Sequence, residues 1–127
     1  VDVFKDSFVK TEKKVKSGSD TTRVGRWMSQ GEYDKMVVSG KVQMSPDGNT
    51  TYVANPADIN AFGKQAKPGS IYVEFDVDSI RIYPAGKEGW GQIPGPGSLI
   101  DRLNLKKGLP AFEDMPDAIN IQIGGKK

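Results

Sequence analysis

Apolar and polar positions alternate most strictly over residues 70–77. Ile71, Val73, Phe75 and Val77 face one way, and Tyr72, Glu74 and Asp76 the other, which is the two-residue period of a half-buried strand. Ile119, Ile121 and Ile123 repeat the alternation and predict a closing strand, while residues 21–27 are β-prone and predict the first. Residues 80–83 continue the central strand after a bend. The helices are marked by their caps. Ser29-Gln30-Gly31-Glu32 is a capping box, in which the Ser29 hydroxyl and the Glu32 carboxylate satisfy reciprocal backbone donors. Met28 and Tyr33 occupy the staple positions around it, and Gly40 is the stop. Asn55 followed by Pro56 starts a second helix that runs to about residue 66, ahead of Lys67-Pro68-Gly69. Ser98-Leu99-Ile100-Asp101 caps a short third helix, which Gly108-Leu109-Pro110 stops. Pro46-Asp47-Gly48-Asn49 is turn chemistry and joins residues 41–44 to 50–53 as a hairpin. Residues 86–97 hold five glycines and two prolines and predict a loop long enough to carry function.

Residues 1–20 form a separate stretch. Phe4 and Phe8 lie one helical turn apart, Val1 and Val15 extend the stripe, and Ser17-Gly18-Ser19-Asp20 breaks it. A charged N-terminal helix or linker over residues 1–20 and one domain over 21–127 is the expected organisation. The chain opens on Val1 with no initiator methionine, which points to a piece of a longer protein. The predicted fold class is α+β, a single compact domain of antiparallel strands with short helices.

Composition then narrows the chemistry. The 127 residues are 36% hydrophobic and 27% charged, and 18 basic against 16 acidic side chains leave a net charge of +2. That balance announces no strong field for nucleic acid or a membrane surface. The apolar runs are also far shorter than the roughly 20 residues a spanning helix needs. Cysteine and histidine are both absent, so thiol nucleophiles, thiolate zinc sites, Ser-His-Asp triads and His-ligated metals are excluded. Any catalysis uses carboxylates, arginine, lysine, tyrosine or backbone groups.

Three places could carry it. Glu74 is either part of a solvated strand face or a carboxylate held rigidly over a cleft, the placement a catalytic acid needs. Arg26 is either a surface cation beside Trp27 or a phosphate clamp, for which a bidentate guanidinium is suited. Trp90 and Gln92 belong either to a well-packed loop or to a glycine-rich substrate lid. The glycines at 89, 91, 95 and 97 lack the spacing of a nucleotide-binding fingerprint.

The motifs also resemble a known family in matching order from about residue 21 to 121. Arg23-Val24-Gly25-Arg26-Trp27-Met28-Ser29 with Glu32-Tyr33, and Tyr72-Val73-Glu74-Phe75-Asp76-Val77, are similar to strand motifs in C-terminal toxin domains of bacterial polymorphic toxins. Asp78 stands where those domains usually carry proline. Gly89-Trp90-Gly91-Gln92-Ile93-Pro94-Gly95-Pro96-Gly97-Ser98-Leu99 resembles a loop of the same family. Lys107-Gly108-Leu109-Pro110 and Met115-Pro116-Asp117-Ala118-Ile119-Asn120-Ile121 resemble its tail. Such domains end Rhs-type and contact-dependent growth inhibition proteins. The branch resembled is that of ADP-ribosyltransferases acting on elongation factor Tu to stop translation.

The resemblance implies an ADP-ribosyltransferase-like fold, NAD as co-substrate without a metal, and a cognate immunity protein in the producer. It also implies secretion or delivery within a larger toxin and action in the target-cell cytoplasm, with no membrane partner. By similarity Arg26 takes the first-strand arginine role and Arg23 is its fallback. Tyr52 is the ring that packs on nicotinamide, with Trp90 and Gln92 beside the co-substrate. Many transferases place their carboxylate on a late strand, where this chain has Trp90-Gly91-Gln92; the role therefore falls to Glu74, with Glu88 in reserve. Two other classes stay open: a metal-independent ribonuclease toxin cleaving tRNA or rRNA, and a non-enzymatic domain that binds and blocks a partner.

Overall fold

The computed structural model describes residues 20–63 and 66–127, so the helix or linker expected over residues 1–20 lies outside them except for Asp20. The elements follow in the order β1 (Thr21–Met28), α1 (Gln30–Ser39), β2 (Thr50–Ala54), β3 (Ile71–Asp78), a 3-10 turn (Ser79–Arg81), β4 (Tyr83–Pro84), β5 (Trp90–Pro94), α2 (Leu99–Lys106) and β6 (Ile119–Lys126). Among the described residues the strands form one six-stranded antiparallel sheet, ordered β4-β5-β2-β1-β3-β6. The α+β class expected from the pattern is what the chain adopts.

The sheet is unevenly knitted. β1 pairs with β3 along its whole length, from Thr21 opposite Asp78 to Met28 opposite Ile71. β2 pairs just as continuously with β5, from Thr50 opposite Pro94 to Ala54 opposite Trp90. Between β1 and β2, however, the one register pair among the described residues is Gly25 with Ala54. Two three-stranded halves therefore meet at a seam with a single stitch.

Alternation decides what each face does. Ile71, Val73, Phe75 and Val77 are buried and pack with Val24, Met28, Val53 and Ile93, while α1 adds Met36 from the same side. Full burial of such a side chain contributes about 1.5–3 kcal/mol, so this face sets the register of β3. Tyr72 departs from its expected polar-face exposure and is only 1% exposed. The cause is glycine. A Cβ at Gly25 would stand 2.1 Å from the Tyr72 hydroxyl oxygen, and one at Gly124 would stand 2.9 Å from the ring.

Of the three predicted helix starts, those at Ser29 and Ser98 form with their caps. The Ser29 hydroxyl accepts from the Glu32 N–H at 3.1 Å and the Ser98 hydroxyl from the Asp101 N–H at 3.2 Å. Gly40 closes α1 with φ 71°, a left-handed conformation that glycine adopts without a Cβ penalty. Other expectations are corrected. Residues 41–44 do not pair with 50–53. Instead Lys41 bridges to Asp117, and the Val42 N–H donates to the Pro116 carbonyl, so the C-terminal tail takes those bonds. No α-helix forms in the described part of the second predicted range, where turns lead into a 3-10 conformation at Gly63. The Asp58 carboxylate accepts from the Asn60 N–H, and successive three-residue turns follow at Ala61 and Gly63. A side chain bonding its own backbone in this way competes with the helical ladder. The glycine-rich stretch 86–97 is not all loop either, because pairing with β2 draws residues 90–94 into β5. Residues 80–83 become a 3-10 turn leading into the two-residue β4 rather than a continuation of β3.

Candidate functional site

Beyond the Gly25–Ala54 stitch, β1 and β2 separate, and the backbone bonds that would join Arg26–Met28 to Thr51–Val53 are replaced by a side chain. The Arg26 guanidinium reaches across, donating from Nη1 to the Tyr52 carbonyl at 2.8 Å. Its Nε and Nη2 donate to the two oxygens of Glu32 at 2.6 and 3.2 Å, a fork-on-fork pair anchored on the first turn of α1. Three of arginine's five N–H donors are thereby engaged, and two are left for an anion. The capping box is thus half made: Glu32 turns its carboxylate to Arg26 rather than to the Ser29 backbone.

The opening at the seam is a cleft of about 570 Å³, lined by Arg26, Trp27, Tyr52, Phe62, Ala66, Ala85 and Trp90. That is within the range of sites for small molecules, and the lining is mainly aromatic with one fixed cation. Each ring is placed by a different element. Tyr52 projects from β2, half exposed. Trp90 begins β5, and Lys87 lies over its face at 4.8 Å. Phe62 takes a left-handed backbone, φ 64°, uncommon for an aromatic residue, and stacks on Trp90 with ring centres 4.1 Å apart. Trp27 donates its indole N–H to the Ile59 carbonyl at 2.9 Å, which ties the segment after β2 to β1. A second, polar recess of about 310 Å³ opens on the other side of Arg26, with Ser29, Glu32, Lys35 and Gln43 among its lining.

The cleft brings together three of the residues singled out in the sequence: Arg26, Tyr52 and Trp90. Gln92 lies directly opposite Tyr52 in register and donates to the Pro84 carbonyl at 2.7 Å, so it braces β4 against β5. Arg23 lies elsewhere. It donates to Asp76 at 3.2 Å and to the Asn120 carbonyl at 2.8 Å, and its Nε stands 3.6 Å from Glu74. Glu88 is exposed in the turn before β5.

Glu74 is not in the cleft lining, and among the described residues no carboxylate is. It does share the cleft's sheet face. The register places Trp90, Ala54, Gly25 and Glu74 in one row across β5, β2, β1 and β3. From Ala54 to Glu74 is two strand spacings, roughly 10 Å. The buried Tyr72 hydroxyl lies against Gly25 in that row and donates to Glu74 at 3.0 Å. Burial, and next the hydrogen bond and charge of Glu74, push the Tyr72 phenol well above its ordinary pKa, so it stays a donor.

Trp27, Phe62 and Glu32 complete the site beyond the sequence reading. The Trp27 signal was present, since it neighbours Arg26. Phe62 fell inside an expected helix and Glu32 inside an expected cap, so neither was available as a candidate.

A family model described as the TreTu toxin, C-terminal domain, matches residues 21–122. No curated protein matches the chain. No helix among the described residues is long and apolar enough to cross a membrane.

Proposed function

The chain belongs to the TreTu toxin C-terminal domain family and is a toxin domain, and from that premise we propose that it transfers ADP-ribose from NAD to elongation factor Tu. The observation that carries this reading is the seam cleft, where one anchored guanidinium with two spare N–H donors faces a ring of aromatic side chains. NAD suits such a lining: a pyrophosphate for Arg26, and flat rings for Tyr52 and Trp90. The composition supports it as well, because the reaction needs neither histidine nor cysteine.

In the proposed reaction the bond between nicotinamide nitrogen and ribose C1′ breaks, and nicotinamide leaves with the bonding pair. The ribose passes through an oxocarbenium-like state, and a nucleophile of the acceptor protein forms the new bond at C1′, releasing its proton to water. Negative charge near C1′ stabilises that state more than the ground state. Glu74 is proposed for this role, with its carboxylate oriented by Tyr72 and Arg23 on the cleft's own sheet face. Delivery within a larger toxin, action in the target-cell cytoplasm and protection of the producer by a cognate immunity protein belong to the same proposal.

The test uses labelled NAD and purified elongation factor Tu. Stoichiometric label on the protein, with equal release of nicotinamide, is the expected result. Intact NAD together with cleaved tRNA or rRNA would replace the reading with a metal-independent ribonuclease.

A further inference from the structure

Helix α2 presents its leucines to solvent and its carboxylate to the interior. Its one buried residue is Asp101, 4% exposed, which accepts the backbone N–H groups of Gly97 and Phe112, each at 2.9 Å. Leu99, Leu103 and Leu105 are 62, 44 and 50% exposed, and Leu109 just past the helix is 50% exposed. A surface helix ordinarily turns such residues into the core, and a cluster of them left outside marks an interaction surface. Leu99 and Leu103 are one turn apart and form a ridge. Arg102, Lys106 and Lys107 are exposed along the same helix end, and among the described residues none of them pairs with a carboxylate.

We propose that this basic, leucine-studded face docks the protein acceptor of the toxin: an acidic protein offering an apolar recess to Leu99 and Leu103 and carboxylates to Arg102 and Lys106. The choice of acceptor rests on the transfer reaction proposed above; the face itself does not. Three observations favour it. The charge on the helix selects an acidic partner, and complementary charge speeds encounter. Eight residues make only about 12 Å of helix, little area for a bilayer but enough for a central anchor at a protein interface. Finally, α2 is fastened to the half of the sheet that carries the cleft's Tyr52 and Trp90. It starts five residues after Pro94, the end of β5, and Asn104 donates to the Tyr83 hydroxyl of β4 at 3.4 Å. β5 spans roughly 17 Å, so α2 follows directly from the strand that begins at the cleft's Trp90.

Binding of purified elongation factor Tu is measured for the wild-type protein and two paired variants, Leu99→Glu with Leu103→Glu and Arg102→Glu with Lys106→Glu. Nicotinamide release from NAD without acceptor is followed in parallel. The leucine pair should weaken binding at least tenfold. The charge pair should slow association and flatten its salt dependence. Both should leave acceptor-free nicotinamide release and the circular dichroism spectrum unchanged. Wild-type protein that does not bind the factor overturns the proposal, as does unchanged affinity in both pairs. It is also overturned if the leucine pair instead abolishes binding to phosphatidylglycerol vesicles, or dissolves a self-dimer, while affinity for the factor holds. Binding that depends on α2 in a protein that releases no nicotinamide keeps the docking face and removes the transferase reading.

Discussion

On one side of the seam, β5 and β2 present Trp90 and Tyr52 to the cleft; on the other, β1, β3 and β6 carry a charged lattice and add a single ring, Trp27. Tyr52 and Trp90 hang from the first half. Arg23, Glu74, Asp76 and Gln122 interlock on the second, joining three strands through side chains as well as backbone. The ring half is held to its neighbour loosely and the charged half is braced throughout. Flat groups need a surface to stack on, whereas a carboxylate acting on a developing cation needs a fixed position. Arg26 belongs to both halves: its strand is in the charged half, and it bonds to a carbonyl of the ring half. The difference teaches that this sheet separates adhesion from electrostatics and uses one arginine to keep them in register.

The sharpest way to break that division is on the charged side. Glu74→Gln keeps shape and removes charge. Turnover should fall about a hundred- to a thousandfold, equivalent to about 3–4 kcal/mol of transition-state stabilisation, while the circular dichroism spectrum is retained. Normal turnover would leave Glu74 as a brace for Tyr72 and Arg23 and transfer the acid role to Glu88.

The next effect is on the stitch itself. Gly25→Ala drives a methyl group into the Tyr72 hydroxyl and should cost about 1–3 kcal/mol in urea unfolding. Tyr72→Ala is itself destabilising because Tyr72 is buried, and combined with Gly25→Ala the two losses should be less than additive, since the two positions share one space. Gly31→Ala is the control. Its Cβ meets only the Ser29 hydroxyl at 3.9 Å, so a neutral or slightly stabilising result is expected.

A smaller change is expected where the halves are bridged. Arg26→Lys loses the fork that spans Glu32 and Tyr52, and should raise the Michaelis constant for NAD about tenfold with a lesser effect on turnover. Glu32→Gln should shift it in the same direction by less, since the amide still accepts one hydrogen bond.

Smallest of all is an acid-range effect away from the seam. The backbone N–H groups of Phe112 and Gly97 hold Asp101 below its ordinary pKa of 3.8, so the charged form favours the folded state. Its contribution is complete above the unfolded value and disappears as pH falls through the lower folded one. Asp101→Asn should therefore lower the melting temperature at neutral pH by a few degrees and flatten its decline below pH 4. Melting curves collected between pH 7 and pH 2 report both.

What could be read in advance followed local rules. Caps at Ser29 and Ser98, the stop at Gly40 and the buried side of β3 depend on neighbours close in sequence. Arg26 and Trp90 stood out by their own chemistry and Tyr52 through the family resemblance, but their meeting in one cleft depends on strand pairing between distant residues. What escaped depends on distant partners. Residues 90–94 are a strand because β2 lies beside them, despite a glycine and a proline among them. Tyr72 is buried because glycines at 25 and 124 vacate its space, and no local pattern around Tyr72 records that. Phe62 reaches the cleft through a left-handed turn inside a segment with a helical opening signal. Glu32 satisfies a cap template equally well whether it turns back to the helix or across to an arginine on the preceding strand.

A sheet with a single backbone stitch down its middle has a line of low cohesion, and here that line runs beneath the cleft. β1 is locked to β3 in a continuous ladder, whereas beyond Gly25 the described residues of β1 and β2 share no register pair and the Tyr52 carbonyl accepts from the Arg26 guanidinium instead. Deuterium uptake should therefore be fastest on the β2 side of the seam. A ligand gripping Arg26 from within the cleft would suppress that uptake by closing the gap it fills, so occupancy of this protein becomes legible as rigidity before any product has formed.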